Sequence, residues 1–240
     1  MKKLLSVFST LILFGILSLS PLLSFTQSES HPGKWSAGLH FAPEYSYRSL
    51  QSGSDWSNIV AYRDSIELPS FGFSTGAFIR HSLNKRISFE TGLNFSDRHY
   101  SSKYIDVVLE LDEGLRKIKT SHHFYYLSLP IKGNYMLYES KASFYLTAEV
   151  TFDLYLLGRT VSHLKYDDGH LDRNASRMKN DFSTFNMSGS IGAGISMPMN
   201  DRLSIRFEPK FRRAFFPLLD APVREFQYSI GLDSGVIYHL

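Results

Sequence analysis

The chain has 240 residues, of which 43% are hydrophobic and 15% aromatic, and its formal net charge is +3. This composition excludes a disordered or low-complexity chain and predicts either one large domain or two small ones. The sequence contains no cysteine, which excludes disulfides, thiolate metal sites, a cysteine nucleophile and a lipid-modified N-terminal cysteine.

Residues 1–26 have the pattern of a secretory signal peptide. In "MKKLLSVFSTLILFGILSLSPLLSFTQ" two lysines precede an apolar run, which is short for a transmembrane helix and is followed by Pro21. We expect cleavage after Thr26 or, alternatively, after Ser24, so that residues 27–240 form the mature domain. Without the two lysines the net charge falls to +1, which argues against nucleic-acid binding.

Eight segments after the signal peptide alternate between apolar and polar residues, which is the two-residue period of a β-strand. They are residues 35–47, 70–82, 86–100, 120–138, 141–157, 182–199, 202–211 and 225–240. Most are long enough for the roughly 9 to 11 residues that a tilted strand needs to cross a bilayer. No segment in the mature domain has a convincing helical stripe.

The connections between these segments alternate in length. Three are tight polar turns, "LNKR", "YESK" and "MNDR", and the four between them are longer. Consecutive antiparallel strands joined in this way place all short turns at one end and all long loops at the other. We therefore predict an all-β, eight-stranded antiparallel up-and-down transmembrane β-barrel, with both termini on the short-turn, periplasmic side.

The polar face of each strand decides between a membrane barrel and a soluble, lipocalin-like carrier, whose apolar face would turn inward. The polar faces are rich in Gly, Ser and Thr, and their charges have both signs, which suits a narrow interior. We expect these charges to form a structural ion-pair network; the alternatives are an ion path and a substrate site. The predicted members are Glu90, Lys132, Glu149, Asp153, Arg206, Glu208, Lys210 and Asp233.

Trp and Tyr residues lie near the predicted strand ends, as in the interfacial girdles of membrane proteins. We place Trp35, Tyr138 and Tyr238 at the short-turn end, and Tyr45, Tyr47, Tyr100 and Tyr228 at the loop end. We also expect Pro130, Pro198 and Pro209 to mark bulges or breaks in strand pairing, because proline has no amide hydrogen to donate.

The last segment, "EFQYSIGLDSGVIYHL", is expected to close the barrel by pairing with the first strand, which removes the open edge of the sheet. Such a terminal strand is also the type of signal that barrel assembly machinery reads. The predicted signal residues are Phe226, Tyr228, Ile230, Leu232, Tyr238 and Leu240.

Several of these features together resemble the outer-membrane β-barrel domain family common in Bacteroidetes, which includes PorT-like proteins. Besides the signal peptide and the strands, they are "GSIGAGISMPM", the aromatic last strand and "HHFYYLSLPIKGNY". In the last of these, a family pattern of aromatic, Leu, x, Leu/Ile, Pro, Leu/Ile and a later Tyr is matched by Tyr126, Leu127, Leu129, Pro130, Ile131 and Tyr135. The resemblance implies an outer-membrane location, no catalytic residues and, for PorT-like members, a part in protein secretion.

Candidate catalytic and metal-binding residues are weak. His122 and His123 are neighbours on a strand, so they point to opposite faces and do not readily chelate one ion; a site shared with His99, His163 and His170 is conceivable. His99 with Ser101 is a candidate pair for a lipid A deacylase-type enzyme, although no spacing singles it out. We therefore expect a non-enzymatic protein with no cofactor and no bound metal.

The long loops are the better candidates for recognition of a partner. The second loop, residues 101–119, is expected to extend its hairpin beyond the membrane or to form a short helix. Cations in the third loop are candidates for lipopolysaccharide phosphates, the alternative being a solvated mixed-charge loop. They are Arg159, Lys165, Arg173, Arg177 and Lys179. Expected partners are thus outer-membrane lipid and lipopolysaccharide, the assembly machinery and an unidentified envelope or extracellular protein, but no nucleic acid.

Overall fold

The computed structural model describes residues 34–107, 114–178 and 182–240. The predicted signal peptide, residues 1–26, and Lys179 lie outside the described residues. The strands are β1 Lys34–Ser52, β2 Glu67–Ser82, β3 Ile87–Ser102, β4 Ile105–Asp106, β5 Leu115–Glu139, β6 Ser143–Tyr166, β7 Leu171–Arg177, β8 Phe185–Pro198, β9 Leu203–Ala214 and β10 Val223–His239. Helix α1 spans Ser57–Ile66 and follows a short 3-10 turn.

Eight of these strands pair antiparallel with their chain neighbours and form a closed ring, which confirms the predicted eight-stranded barrel. Its order is β1, β2, β3, β5, β6, β8, β9 and β10, and β10 pairs with β1 from Ser36 opposite His239 to Ser52 opposite Val223. The two short strands, β4 and β7, lie outside the ring, where they add to β5 and β6. The ring leaves no open edge along its membrane-spanning part.

The barrel strands extend well beyond the predicted segments at the loop end. β5 has 25 residues and β6 has 24, more than twice the roughly 9 to 11 residues that cross a bilayer. The second predicted loop is therefore, in its described part, largely a continuation of the hairpin, and the third is largely the pairing of β6 with β7.

Helix α1 lies in the first long loop, where the sequence shows no convincing helical stripe. None of the residues of "SNIVAYRDSI" is buried, so no apolar stripe packs this helix onto the barrel. Polar contacts with the barrel hold it in place instead. Within the described ranges, no helix combines the length and the apolar character needed to span a membrane.

Pro130 and Pro209 interrupt pairing on one side of their strands without changing the register, whereas Pro198, the last residue of β8, remains opposite Ser204 and marks no break. On the β3 side of Pro130, paired residues stop at Thr91 opposite Ile131 and resume at Asn94 opposite Ser128. On the β6 side Pro130 remains opposite Thr151. The missing amide hydrogen of Pro130 thus produces one local break in the pairing of β5 with β3, as expected. Across this break the Thr91 hydroxyl donates a hydrogen bond to the Pro130 carbonyl at 2.8 Å.

Candidate functional site: the barrel interior and its loop end

The alternation of each strand places the polar face inside the barrel and the apolar face outside. Large apolar side chains on the outer wall are strongly exposed, for example Leu39 at 68% and Ile191 at 66%, whereas interior charges such as Arg206 and Asp233 are 2% exposed. This arrangement is the reverse of a lipocalin, so the soluble-carrier alternative is wrong. Outward Trp35, Tyr138 and Tyr238 lie near the strand ends, and outward Tyr45 lies within β1, which continues to Ser52. Tyr100 is 5% exposed and points inward, so its place in the girdle was predicted wrongly.

The interior charges on the short-turn side form one connected cluster around Glu90. The Glu90 carboxylate accepts hydrogen bonds from Arg206, at 2.6 Å, and from Arg80, while Lys132 lies 3.8 Å away. Lys132 donates at 2.6 Å to Glu208, whose carboxylate also accepts from Tyr145 and Thr147. Each carboxylate is therefore compensated by a cation on another strand.

Asp233 joins this cluster from β10. Its carboxylate lies 3.2 Å from His40, 3.4 Å from Lys210 and 3.6 Å from Arg206. Glu149 is the predicted member that stands apart: it accepts from Thr151 at 2.8 Å and Ser190 at 3.4 Å, and no direct ion pair reaches it in the described part of the chain.

Two further buried pairs lie nearer the loop end. Arg98 donates both terminal nitrogens to Asp153, at 2.8 and 2.9 Å, and Ser128 and Ser188 donate to the same carboxylate at 2.6 and 3.0 Å. Arg212 pairs with Glu44, which also accepts from Ser229 at 2.9 Å.

Several members of the network are not among the residues predicted from the sequence, although their strand positions contain the signal. His40 and Glu44 belong to the inward set of β1, and Arg98 to the inward set of β3. Extending the same two-residue period along those strands, rather than selecting a few charges from each, would have included them. The partner assignments depend on the register and stagger of distant strands, which one sequence does not reveal.

Polar residues at the loop end join helix α1 to the barrel. Arg48, from the end of β1, lies 2.6 Å from Glu67 and 2.5 Å from Asp64 of the helix. Arg63 reaches from the helix to Glu67 at 2.7 Å and to Glu225 at 3.0 Å. Burial raises the pKa of the Glu225 carboxyl, and the nearby Arg63 guanidinium offsets only part of that rise.

An aromatic cluster lies below this polar cap. Tyr100, Phe124, Tyr126 and Leu218 are each at most 5% exposed and pack together. Voids beside Arg98 and Arg212, and between His40, Glu90 and Lys132, hold only about 10 Å³ each, enough for about one water molecule. The side chains thus fill these parts of the interior.

The structure brings His99 and His123 together, with ring centroids 4.2 Å apart, and separates them from the other candidate histidines. His122 faces Thr160, whose hydroxyl lies 3.4 Å from its Nδ1, whereas His123 points outward and contacts Asp97. His163 and His170 lie on and beside the β6–β7 hairpin. Among the described residues no hydrogen bond joins His99 to Ser101, and His99 Nδ1 instead lies 3.6 Å from Asp97. The candidate nucleophile–base pair is not assembled.

The cations predicted to meet phosphate, as far as they are described, lie on one face of the loop-end extension. Directly opposite residues in antiparallel strands share a face. Arg159 is opposite Arg177 and His123, Lys165 is opposite Lys117, and His163 is opposite both Arg173 and Lys119. We call this set the basic face: Lys117, Lys119, Arg159, Lys165, Arg173 and Arg177. Because His123 points outward, the basic face continues the outer wall of the barrel.

The last strand places its predicted signal residues on the lipid-facing wall. Ile230, Leu232, Tyr238 and Leu240 are at least 40% exposed, and Phe226 and Tyr228 are partly exposed. The strand closes the ring as expected, and the amide of Leu240 donates to the Trp35 carbonyl at 3.1 Å.

A closed up-and-down barrel with a charged interior and an apolar outer belt between aromatic rims is the outer-membrane type of β-barrel. The sequence comparison agrees. The family model described as "Outer membrane protein beta-barrel domain" matches residues 25–220, so the chain belongs to that family and is an outer-membrane β-barrel protein. No curated protein matches the sequence.

Solved outer-membrane barrels align over most of the chain. The outer membrane protease OmpT from Escherichia coli is 9% identical, with 90% of this chain and 100% of that chain covered and a TM-score of 0.47. Neisserial surface protein A is 12% identical, covering 89% and 100% with a TM-score of 0.39, and OprG from Pseudomonas aeruginosa is 11% identical, covering 89% and 98% with a TM-score of 0.39. Similarity at this level carries no information about activity.

Proposed function

We propose that this protein is a closed, non-enzymatic outer-membrane barrel whose loop end binds the phosphate groups of lipopolysaccharide. The basic face carries the proposal: six Lys or Arg side chains on the outer side of β5, β6 and β7 point where a lipid headgroup would lie beside the barrel wall. Lys and Arg are the usual partners of phosphate. This placement requires the loop end to face the cell exterior, with both termini in the periplasm and residues 1–26 acting as a signal peptide.

The charge balance of the basic face supports an anionic partner. Within residues 34–107, 114–178 and 182–240, Asp106 is the acidic residue paired directly onto it, opposite Lys117 and 3.4 Å from its amine. Asp172 of β7 is opposite Leu164 and therefore points to the other side of the hairpin. Arg159, Arg173 and Arg177 are exposed and have no ion pair within the described residues, so their charges are available to a ligand.

The filled interior supports a structural rather than a transporting role. An eight-stranded barrel is just wide enough for side chains to fill it, and here the charged cluster and the aromatic cluster occupy both halves. We expect the purified protein in planar bilayers to show no steady conductance. Stable channels of defined conductance would contradict the closed-barrel part of the proposal.

Binding of lipopolysaccharide by the purified barrel tests the main proposal. Arg173→Gln with Arg177→Gln is expected to weaken binding by about tenfold, because two phosphate contacts worth roughly 0.7 kcal/mol each are removed. Lys85→Gln with Arg86→Gln, which removes two exposed charges at the short-turn end, is the matched control and should leave binding unchanged. Equal weakening by both pairs would indicate non-specific attraction and reject the proposed site.

A second candidate is binding of an envelope protein by helix α1 and by Trp56, the residue that precedes it. Trp56, Ile59 and Tyr62 recur at a spacing of three residues and are 42%, 43% and 57% exposed. Exposed Trp and Tyr are typical anchors of protein interfaces. The resemblance to PorT-like proteins would make a secretion component one such partner. Cross-linking in intact cells, with Trp56→Ala and Tyr62→Ala compared with Asn58→Ala, tests this surface; a neighbour captured equally by all three variants would argue against it.

A further inference from the structure

Three potential metal ligands meet on the outer wall at the loop-side edge of the apolar belt. Asp97 and His99 lie two residues apart on β3 and therefore on one face, and His123 of β5 is directly opposite His99. Their chain neighbours Arg98 and His122 point to the other side, toward the interior. Strand register, rather than sequence proximity, assembles the group.

The distances suit one small ion. His123 Nδ1 lies 3.0 and 3.1 Å from the two Asp97 oxygens, His99 Nδ1 lies 3.6 Å from Asp97 Oδ1, and one ligand atom from each residue lies within 4.8 Å of the others. Ligands at about 2.0 to 2.1 Å from a tetrahedral zinc ion are about 3.3 Å apart. Small side-chain rotations would therefore bring the three atoms onto one ion.

His99 provides an independent observation. Its Nδ1 is buried and has no hydrogen-bond partner among the described residues, although a buried polar nitrogen normally has one. The two imidazole rings stack, with centroids 4.2 Å apart and planes at 25°, and the Nδ1 atoms of His123 and His99 lie 3.0 and 3.6 Å from the same carboxylate. A ligand between them would satisfy the unpaired nitrogen.

The three side chains are largely shielded from bulk solvent. The side chains of Asp97, His99 and His123 are 10%, 12% and 19% exposed, and the Tyr125 ring stacks against His123. The pairing of β2 with β3 is irregular between Pro69 and Phe73, and a Cβ on Gly72 would clash with the Asp97 backbone carbonyl. Glycine there lets β2 pass close to the backbone of Asp97, and such irregularities are frequent beside functional sites.

We propose that Asp97, His99 and His123 bind one transition-metal ion, best matched by Zn²⁺, with a fourth position open to water. Two imidazoles and one carboxylate favour zinc and related ions over Mg²⁺ or Ca²⁺, which prefer all-oxygen ligands. The competing interpretation is that Asp97 simply accepts hydrogen bonds from the two imidazoles. The site is independent of the lipopolysaccharide proposal, because none of its ligands belongs to the basic face.

Zinc titration of the purified, untagged barrel tests the proposal, with a chromogenic chelator as competitor. We expect one equivalent to bind, and Asp97→Asn, His99→Ala or His123→Ala each to weaken binding by more than about 100-fold, since even outer-shell partners of a metal ligand change affinity by about 10- to 100-fold. His163→Ala is the matched control, because it removes an imidazole from the adjoining extension. Unchanged heat-modifiability on gels confirms that each variant is folded.

The ion's geometry gives a second readout. Co²⁺ in place of Zn²⁺ should show the intense visible absorption of a tetrahedral site, and this absorption should disappear in His99→Ala but persist in His163→Ala and in Arg173→Gln/Arg177→Gln. Each of three results would overturn the proposal. They are the absence of stoichiometric metal binding by the wild-type barrel, metal binding that survives Asp97→Asn, and metal binding that is lost in His163→Ala. If the Arg173/Arg177 variant loses lipopolysaccharide but retains the metal, the two proposals are separated.

Discussion

Breaking the Arg98–Asp153 pair tests whether the interior charges stabilise the barrel as partners. Asp153 is 0% exposed, and its carboxylate accepts two hydrogen bonds from Arg98 and one each from Ser128 and Ser188. Arg98→Met keeps much of the side-chain volume but removes the compensating charge. Asp153 is then left as a buried carboxylate held only by two hydroxyl groups.

Removing one member of a buried ion pair typically costs about 3 to 5 kcal/mol, because the other charge stays buried without compensation. We expect Arg98→Met to lie in this range. Asp153→Asn should cost a similar amount, because it leaves the guanidinium uncompensated. The double variant should cost less than the sum, since no stranded charge remains, with a coupling energy of about 1 to 3 kcal/mol.

Urea unfolding of the barrel in lipid vesicles, followed by tryptophan fluorescence and by gel mobility, measures these free energies. Arg116→Met is the matched control, because its pair with Asp167 is highly exposed, at 70% and 51% of the two side chains. Exposed pairs typically contribute about 0 to 1 kcal/mol. Additive effects of the two interior substitutions, or a cost no greater than that of the control, would refute the network argument.

Three further predictions concern the outer wall of the barrel, the pairing of β10 with β1, and the polar contacts that join helix α1 to the barrel. Leu232→Arg, between the aromatic rims of β10, should cost about 2 to 4 kcal/mol in unfolding measurements, whereas Leu171→Arg on exposed β7 should stay within about 0.5 kcal/mol; equal values would mean that the lipid-facing wall is misassigned. Deletion of residues 237–240 removes the pairing of Ile237 with Gly38 and should leave the protein unassembled by heat-modifiability; normal insertion would contradict the closing role of β10. Because burial raises the pKa of Glu225 in the folded protein, the protonated carboxyl contributes to the free energy of unfolding. This contribution is complete below the pKa that Glu225 has in the unfolded chain, and it is lost as the pH rises through the raised pKa of the folded state. Glu225→Gln should remove that pH dependence, read from Trp56 fluorescence in a Trp35→Phe background, and an unchanged profile would assign it to another group.

Local periodicity was sufficient to predict the fold. The two-residue alternation and the alternation of short and long connections fix a closed eight-stranded ring, because few other topologies satisfy both. Helix α1 was missed because no apolar stripe packs it onto the barrel. Polar contacts hold it instead, such as those of Arg63 with Glu67 and Glu225, which join the helix to two strands. The inward position of Tyr100 was missed because aromatic type was weighted above the strand's own alternation. The Asp97–His99–His123 group needs the register of β3 against β5, which is a tertiary quantity.

The filled interior constrains where any function of this barrel can lie. In a soluble domain the core is apolar, but here the bilayer contacts the apolar side chains, and specific pairs such as Arg98–Asp153 and Glu90–Arg206 take the place of a core. A path through the barrel would have to separate several of these pairs at a cost of several kcal/mol each. Strands β5 and β6, by contrast, continue far past the membrane-spanning part at little cost, because they pair along nearly their whole length. Recognition is therefore expected on the outer surface of that extension, where the basic face lies, and on the adjoining outer wall of β3 and β5, where the Asp97–His99–His123 group lies.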